Sequence, residues 1–315
     1  MGVLSGGARP ADGGGVDGEG GVDRRRVLLV VNPAARRSGR LLQRALAAFR
    51  AAGVRCDAVR TERPGQGALV AVERHAGYDA VFTLGGDGTA MEVVGALAGT
   101  GRPIGVLPGG TGNLIARTLG IPLDVAEAVA ALLAGDEARI DLGRLGDGRR
   151  FAFAAGVGID ARMIGETSGR LKQRFGVLAY AITAARGVLR RETFVARVVV
   201  DGEVYERQAA AVMVANFGAV LNELIWLGPG IRQDDGMLDL CVFSPGTLRD
   251  SLRIVRRLMR KDFGDDPCLL YRAGRRIRVE TTPPRQAQAD GELLGPTPFE
   301  VTVEPLAAHL LVPKS

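Results

Sequence analysis

The first apolar run of the chain is Val27-Leu28-Leu29-Val30-Val31, set between Arg24-Arg25-Arg26 and Asn32-Pro33. An unbroken β-branched run of this length predicts a central parallel strand, covered on both faces. Leu41, Leu42, Ala45, Leu46 and Phe49 then recur at helical spacing, which predicts a helix from about Arg40 to Ala52, ended by Gly53. Cys56–Val59 predicts a second strand, finishing at Thr61. Pro64-Gly65-Gln66-Gly67 turns the chain into a helix from about Ala68 to His75. Ala80–Leu84 and Ile104–Leu107 predict the third and fourth strands. Strands alternating with helices argue for a parallel α/β domain.

The pattern changes after Asp141. Short runs bounded by turn residues take over: Phe151–Ala155, Phe194–Val200, Val212–Ala215, Leu238–Phe243, Arg276–Glu280, Phe299–Val303 and Leu310–Val312. Arg276-Ile277-Arg278-Val279-Glu280 alternates strictly, as an antiparallel strand with one wet face does. The second half therefore reads as an antiparallel sheet or β-sandwich. Two helical stretches interrupt it. Leu171–Arg191 repeats Leu171, Phe175, Leu178, Ile182, Ala185 and Leu189. In Leu248–Lys261 a stripe of Leu248, Leu252, Val255 and Met259 faces Arg249, Arg253, Arg256, Arg257, Arg260 and Lys261. These stretches are expected to pack their stripes on the sheet and leave the basic face in solvent. A basic face of this kind also suits an anionic bilayer.

Residues 1–24 are Gly-, Asp- and Ala-rich with almost no large apolar residue, too little to bury for an ordered fold. The expected division is thus a tail over 1–24, an α/β domain over 25–142 and a β-sandwich over 143–315. No apolar core follows a basic start, so no secretory signal is read, and no uncharged run reaches the length of a membrane span. The expected location is cytoplasmic, with peripheral membrane attachment. Among 315 residues, 46% are hydrophobic and the net charge is +6, which favours anionic partners such as nucleotides or phospholipid surfaces. No basic run interleaved with aromatics argues for nucleic acid. Cys56, Cys241 and Cys268 lack metal-ligand spacing and are expected to pack as small apolar residues. His75 and His309 lie far from every candidate loop, so histidine chemistry is not expected.

The chemistry gathers where strands run into glycines. Thr83-Leu84-Gly85-Gly86-Asp87-Gly88-Thr89-Ala90-Met91-Glu92 follows the third strand and opens a helix. Pro108-Gly109-Gly110-Thr111-Gly112-Asn113 follows the fourth and opens another near Leu114. Glycines and helix starts offer backbone N–H groups to phosphate. Both loops belong on the strand-end edge where open α/β sheets bind ligands. Asp87 fits a Mg²⁺ ligand or a group orienting a hydroxyl, with a helix cap as the plain alternative. Arg232-Gln233-Asp234-Asp235-Gly236-Met237-Leu238-Asp239 offers carbonyls and carboxylates to a hard cation. Gln288-Ala289-Asp290-Gly291-Glu292 offers a lone Glu after an Asp-Gly turn.

In this order, Asn-Pro, Thr61, Gly-Gly-Asp-Gly-Thr, Gly-Gly-Thr-Gly-Asn, Asp-Asp-Gly-x-Leu-Asp and Asp-Gly-Glu resemble the diacylglycerol kinase catalytic family, which includes bacterial lipid kinases and sphingosine kinases. The resemblance runs over about residues 26–313. It implies an α/β nucleotide-binding domain, similar to those of NAD kinases and phosphofructokinases, joined to a β-sandwich with a lipid cleft between. It implies transfer of the ATP γ-phosphoryl to a lipid hydroxyl, of diacylglycerol or sphingoid type. ATP would meet Asn32, Pro33, Ala34, Ala35, Arg36, Arg37, Thr61, Gly85, Gly86, Asp87, Gly88, Thr89, Ala90, Met91, Glu92, Gly110, Thr111 and Asn113. Asp87, supported by Asp141, would serve the catalytic Mg²⁺. Asp235, with the carbonyls of Arg232 and Met237, would hold a second, structural Mg²⁺. Glu292 would be the general base. The implied partners are ATP, a lipid acceptor and an anionic membrane surface; a homodimer is compatible.

Two positions depart from the family pattern. Arg36 stands where Gly is usual, with Arg37 in the basic position after it. Leu114 stands where many members have Asp, which removes one acidic group from the metal network. Two other readings stay open: an NAD kinase, to which the pair Asn222-Glu223 is similar, and a catalytically silent lipid-binding member of the same fold.

Overall fold

The computed structural model describes residues 25–32, 38–63, 65–110, 112–158, 193–220 and 225–314. The expectations for the 1–24 tail, for Pro33–Arg37, Thr111 and Asn222-Glu223, and for the stripe over 171–191 lie outside these residues.

The first half alternates as its pattern predicts: β1 (Arg26–Val31), α1 (Ser38–Ala51), β2 (Arg55–Arg60), α2 (Gln66–Arg74), β3 (Ala80–Gly85), α3 (Asp87–Ala96), β4 (Ile104–Pro108), α4 (Leu114–Thr118) and α5 (Val125–Leu133). The strands pair in parallel in the order β2-β1-β3-β4. β3 and β4 are buried at every position, and β1 at all but Arg26, which is why they read as continuous apolar runs. Phe49 of α1 meets Phe82 of β3 edge-on, with ring centroids 4.9 Å apart. Gly105 makes room for that ring, since a Cβ there would lie 2.3 Å from it.

The second half holds β5 (Asp136–Leu145), β6 (Arg150–Phe151), β7 (Ala154–Val157), β8 (Phe194–Val200), β9 (Glu203–Ala209), β10 (Ala211–Ala215), β11 (Ala219–Val220), β12 (Ile225–Trp226) and β13 (Leu238–Phe243). After α6 (Leu248–Arg260) come β14 (Leu269–Gly274), β15 (Arg276–Thr282), β16 (Gln286–Ala289), β17 (Glu292–Pro296) and β18 (Phe299–Val312). One sheet runs β14-β13-β10-β7-β16-β17, all antiparallel. It faces β15 and β8 across a shared core that includes Val198, Val212, Val214, Leu240 and Val279, so the half is a sandwich.

Phe299–Val303 and Leu310–Val312, expected as separate strands, are the two ends of β18. The strand is broken by a register shift between Glu304 and Ala308, with Leu306 at φ 49°. One end pairs with β15; the other pairs in parallel with β4 through Leu310 and Ile104. Ala308, Leu310 and Leu311 therefore join the core of the first half. A single strand stitches both halves into one continuous sheet.

The expected packing of the 248–261 stripe is overturned. α6 turns Ser251, Ile254 and Leu258 into the core, while Leu248, Leu252 and Met259 are exposed. The sheet under it supplies Ala211, Met213, Cys241 and Phe243, which pack with Ile254 and Leu258. The three cysteines are free. Cys241 is buried, and burial pushes the half-buried Cys56 thiol up to about 12.

Candidate active site

The ends of β1, β2, β3 and β4 form one edge. Asn32 donates from its backbone N to Leu84 O (3.0 Å) and from Nδ2 to Thr89 Oγ1 (2.9 Å). Thr61, buried, donates from both N (2.9 Å) and Oγ1 (3.3 Å) to Val31 O. Glu92 reaches back from α3 to accept from Gly65 N (3.0 Å), ahead of α2. Ala90 is buried and Met91 half-buried in the same helix.

The two glycine loops lie directly on one another. Gly109 N donates to Gly85 O at 2.8 Å. A Cβ on Gly109 would sit 2.8 Å from Gly85 N, and one on Gly110 would sit 2.6 Å from Gly86 Cα. The glycines therefore allow two backbones to touch, in addition to any ligand they admit. Asn113, at φ 51°, closes its own loop: its Oδ1 accepts from Gly110 N (2.8 Å) and its Nδ2 donates to Gly110 O (3.0 Å).

Asp87 begins α3 but does not cap it. Gly86 is that N-cap and has no side chain to offer. Asp87 Oδ1 instead accepts from Leu114 N (2.5 Å) and Ile115 N (3.2 Å), the first amides of α4. The carboxylate thus locks the second glycine loop to the first. Its Oδ2 faces Gly112, where a Cβ would lie 2.7 Å away. Among the described residues no donor is bonded to that oxygen. Leu114, the departure from the family pattern, contributes its backbone N–H to Asp87 rather than a second carboxylate.

The second half brings the Asp-Gly-Glu turn to this edge. Asp290 (φ 46°) and Gly291 (φ 88°) form the two-residue loop between β16 and β17, both with positive φ. The Asp290 carboxylate accepts three backbone amides: Ala152 N at 2.7 Å on Oδ2, and Phe153 N at 3.0 Å and Ala154 N at 3.1 Å on Oδ1. Burial pushes this carboxyl up to about 6; the three amides oppose the rise and the charge of Asp87 adds to it. Two residues on, Glu292 is exposed, and a Cβ on Gly88 would lie 4.0 Å from its Oε1. The free carboxylate sits against the glycine loop while its neighbour anchors the turn.

Asp141 is fully buried on β5. Its Oδ2 accepts from Gly236 N and its Oδ1 from Leu306 N, each at 2.7 Å, and its own N donates to Gln233 O (2.6 Å). It ties the 232–237 loop to the break in β18. On that loop Asp235 is exposed and, among the described residues, accepts only from Met237 N (3.0 Å), and Arg232 grips Asp234 (3.1 Å). An exposed carboxylate with neighbouring carbonyls suits a hard cation that keeps several waters. Among the described residues no cluster of three or more acidic, cysteine or histidine side chains forms a closed metal cage. Sites completed by waters and substrate oxygens fit that donor set; a zinc-type site does not.

Sequence reasoning treated Asp290 only as a turn residue and missed Asn216 altogether. Asn216 is buried and donates to both Asp141 O (2.8 Å) and Ala152 O (2.9 Å), joining β5 to the segment whose amides hold Asp290. No local pattern marks it, because its partners come from other strands.

The sequence matches the diacylglycerol kinase catalytic domain over residues 26–145 and the YegS C-terminal NAD kinase beta sandwich-like domain over residues 154–312. The chain belongs to the diacylglycerol kinase catalytic family. It is an enzyme of the lipid-kinase class. A Synechocystis protein of uncharacterised function is 32% identical over 74% of this chain, which spans 54% of that relative's length. A diacylglycerol kinase of Staphylococcus aureus is 29% identical over 87% of this chain and 88% of its own. A solved structure of a candidate diacylglycerol kinase from Bacillus anthracis is 26% identical, covers 92% of this chain and 98% of its own, and superposes with a TM-score of 0.76. No helix among the described residues is long and apolar enough to cross a membrane.

Proposed function

We propose that this protein transfers the γ-phosphoryl group of ATP to the hydroxyl of a diacylglycerol- or sphingoid-type lipid, with Mg²⁺, at the edge where Glu292 meets the glycine loops. The observation that carries this reading is the approach of the Glu292 carboxylate to Gly88. It puts a carboxylate with no hydrogen bond among the described residues beside the amides expected to cradle phosphate. Asn32, Thr61, Gly85–Glu92, Gly110 and Asn113 form the ATP edge; the resemblance adds residues 33–37 and 111, which lie outside the described residues. Mg²⁺, when bound, neutralises phosphate charge, and Asp87 Oδ2 is the oxygen left to hold it. Asp235, with the carbonyls of Arg232 and Met237, would hold a second Mg²⁺. Asp141 supports the site through backbone amides of the loop that carries Asp235. Glu292 takes the proton from the acceptor hydroxyl as the phosphoryl group transfers. The lipid acceptor places the protein at the cytoplasmic face of a membrane.

The test is incubation with radiolabelled ATP, Mg²⁺ and a panel of hydroxyl lipids in mixed micelles, followed by organic extraction. Label in diacylglycerol or a sphingoid base is the expected result. Label in none of the lipids, in a protein that binds ATP, would sink the acceptor assignment.

A further inference from the structure

The stripe expected to bury itself under α6 is left in solvent. Leu248, Leu252 and Met259 are 39%, 52% and 41% exposed. Residues on a helix turn by about 100° each. On that wheel Leu248, Leu252, Val255 and Met259 occupy an arc of about 60°. The buried residues Ser251, Ile254 and Leu258 lie on one side of it. On the other side Arg249, Arg256 and Arg260 form a second row, centred about 90° away.

The helix uses its cations in two ways. Arg253 bonds Asp266 (3.1 Å) and Asp250 (2.9 Å), and Arg257 bonds Asp266 and Asp262, both at 3.0 Å; they fasten the 262–268 segment to the helix. Lys261 stands 3.8 Å from the centre of the Trp226 ring. Arg249, Arg256 and Arg260 are exposed and have no partner among the described residues. Thr247 and Asp250 close a capping box at the start, so the helix is fixed independently of its outer face. An exposed apolar stripe beside a row of unpaired arginines is the form of a helix that lies in a bilayer interface. Its leucines enter the headgroup boundary and its cations meet anionic lipid.

We propose that this outward face of α6, stripe and arginine row together, docks the protein on an anionic lipid bilayer. The proposal rests on the reading that the acceptor is a membrane lipid. It differs from the expectation that a wholly basic face opposite a packed stripe makes the contact. α6 rests on the same sheet whose β16–β17 turn carries Glu292, so docking through it would hold the catalytic edge at a fixed relation to the membrane.

The test is flotation of the full chain with phosphatidylcholine vesicles, with and without phosphatidylglycerol. Wild type is expected to float with the anionic vesicles alone. Arg249→Gln/Arg256→Gln/Arg260→Gln should weaken binding roughly a hundredfold, at about fivefold per cation. Leu252→Ser/Met259→Ser should weaken it about tenfold with the charges intact. Both variants should phosphorylate a short-chain monomeric acceptor at the wild-type rate and lose rate on the vesicle-borne lipid. Equal flotation of wild type and both variants would overturn the proposal. So would a wild-type dimer that Leu252→Ser/Met259→Ser splits while vesicle binding stays unchanged, which would assign the face to a second copy. If no acceptor of either kind were phosphorylated, the kinase reading would fall and flotation would still decide the docking.

Discussion

The Asp-Gly-Glu turn and the 232–237 loop solve the same problem with different outcomes. Each is held by a carboxylate that accepts backbone amides on both oxygens: Asp290 three, Asp141 two. Each then presents a neighbouring carboxylate that is exposed, Glu292 in one and Asp235 in the other. A carboxylate whose lone pairs are occupied by amides is a tie; the one left free beside it can take a proton or a cation. The two loops differ in destination. Glu292 lies against Gly88, where phosphate chemistry is expected. Asp235 is exposed and, among the described residues, accepts one bond, from Met237 N.

Removing the free base should have the largest effect. Glu292→Gln keeps size and exposure but cannot accept a proton, so kcat should fall by about 10²- to 10⁴-fold with an unchanged melting temperature. A near wild-type rate would end the contrast between anchor and base. Removing an anchor should act on stability instead. Asp141→Ala removes the acceptor of the part-buried amides of Gly236 and Leu306, two bonds to a charged group worth about 1–3 kcal/mol each, and should lower the urea midpoint.

Asp290 sharpens the comparison through pH. Its folded-state pKa of about 6 lies above the ordinary 3.8, so the folded state binds its proton more tightly than the unfolded chain does. The stability it contributes is present below pH 4 and is lost as pH rises through 6, by at most about 3 kcal/mol. Thermal melts of the Mg²⁺-free protein should show this slope between pH 4 and 7. Asp290→Asn should flatten it, at the cost of a lower melting temperature throughout, since an amide cannot accept three N–H groups. The smallest effect belongs to Asp235→Asn. It should leave the stability without Mg²⁺ within about 0.5 kcal/mol of wild type, as surface changes usually do, and abolish the rise in melting temperature that Mg²⁺ produces. An undiminished rise would remove Asp235 from the cation site.

The first half was legible because its signals are local. β1, β3 and β4 are buried almost throughout, so apolar runs reveal them, and glycines at their ends mark the edge. β5 escaped notice because Asp136, Glu137 and Arg139 break its pattern, and they can do so only because that end of the strand pairs along β18 at a surface. The family motif named Glu292, Asp87 and Asp235 as candidates, but the bonds of Asp290 and Asn216 depend on amides and carbonyls from other strands. α6 shows the limit most clearly. Its helical period was correct, yet the face that packs was not the more apolar one.

The sequence by itself determined the alternation of strand and helix, the two glycine loops and the order of the acidic motifs, because apolar periodicity, glycine freedom and residue chemistry act over a few neighbouring positions. Only the tertiary structure decided that Asp87 caps the helix of the other loop and that β18 closes both halves. It alone seated Glu292 on Gly88 and left the α6 stripe in water. Each of these depends on which distant backbone amide, strand edge or sheet face comes within bonding distance, and a one-dimensional pattern does not encode that distance.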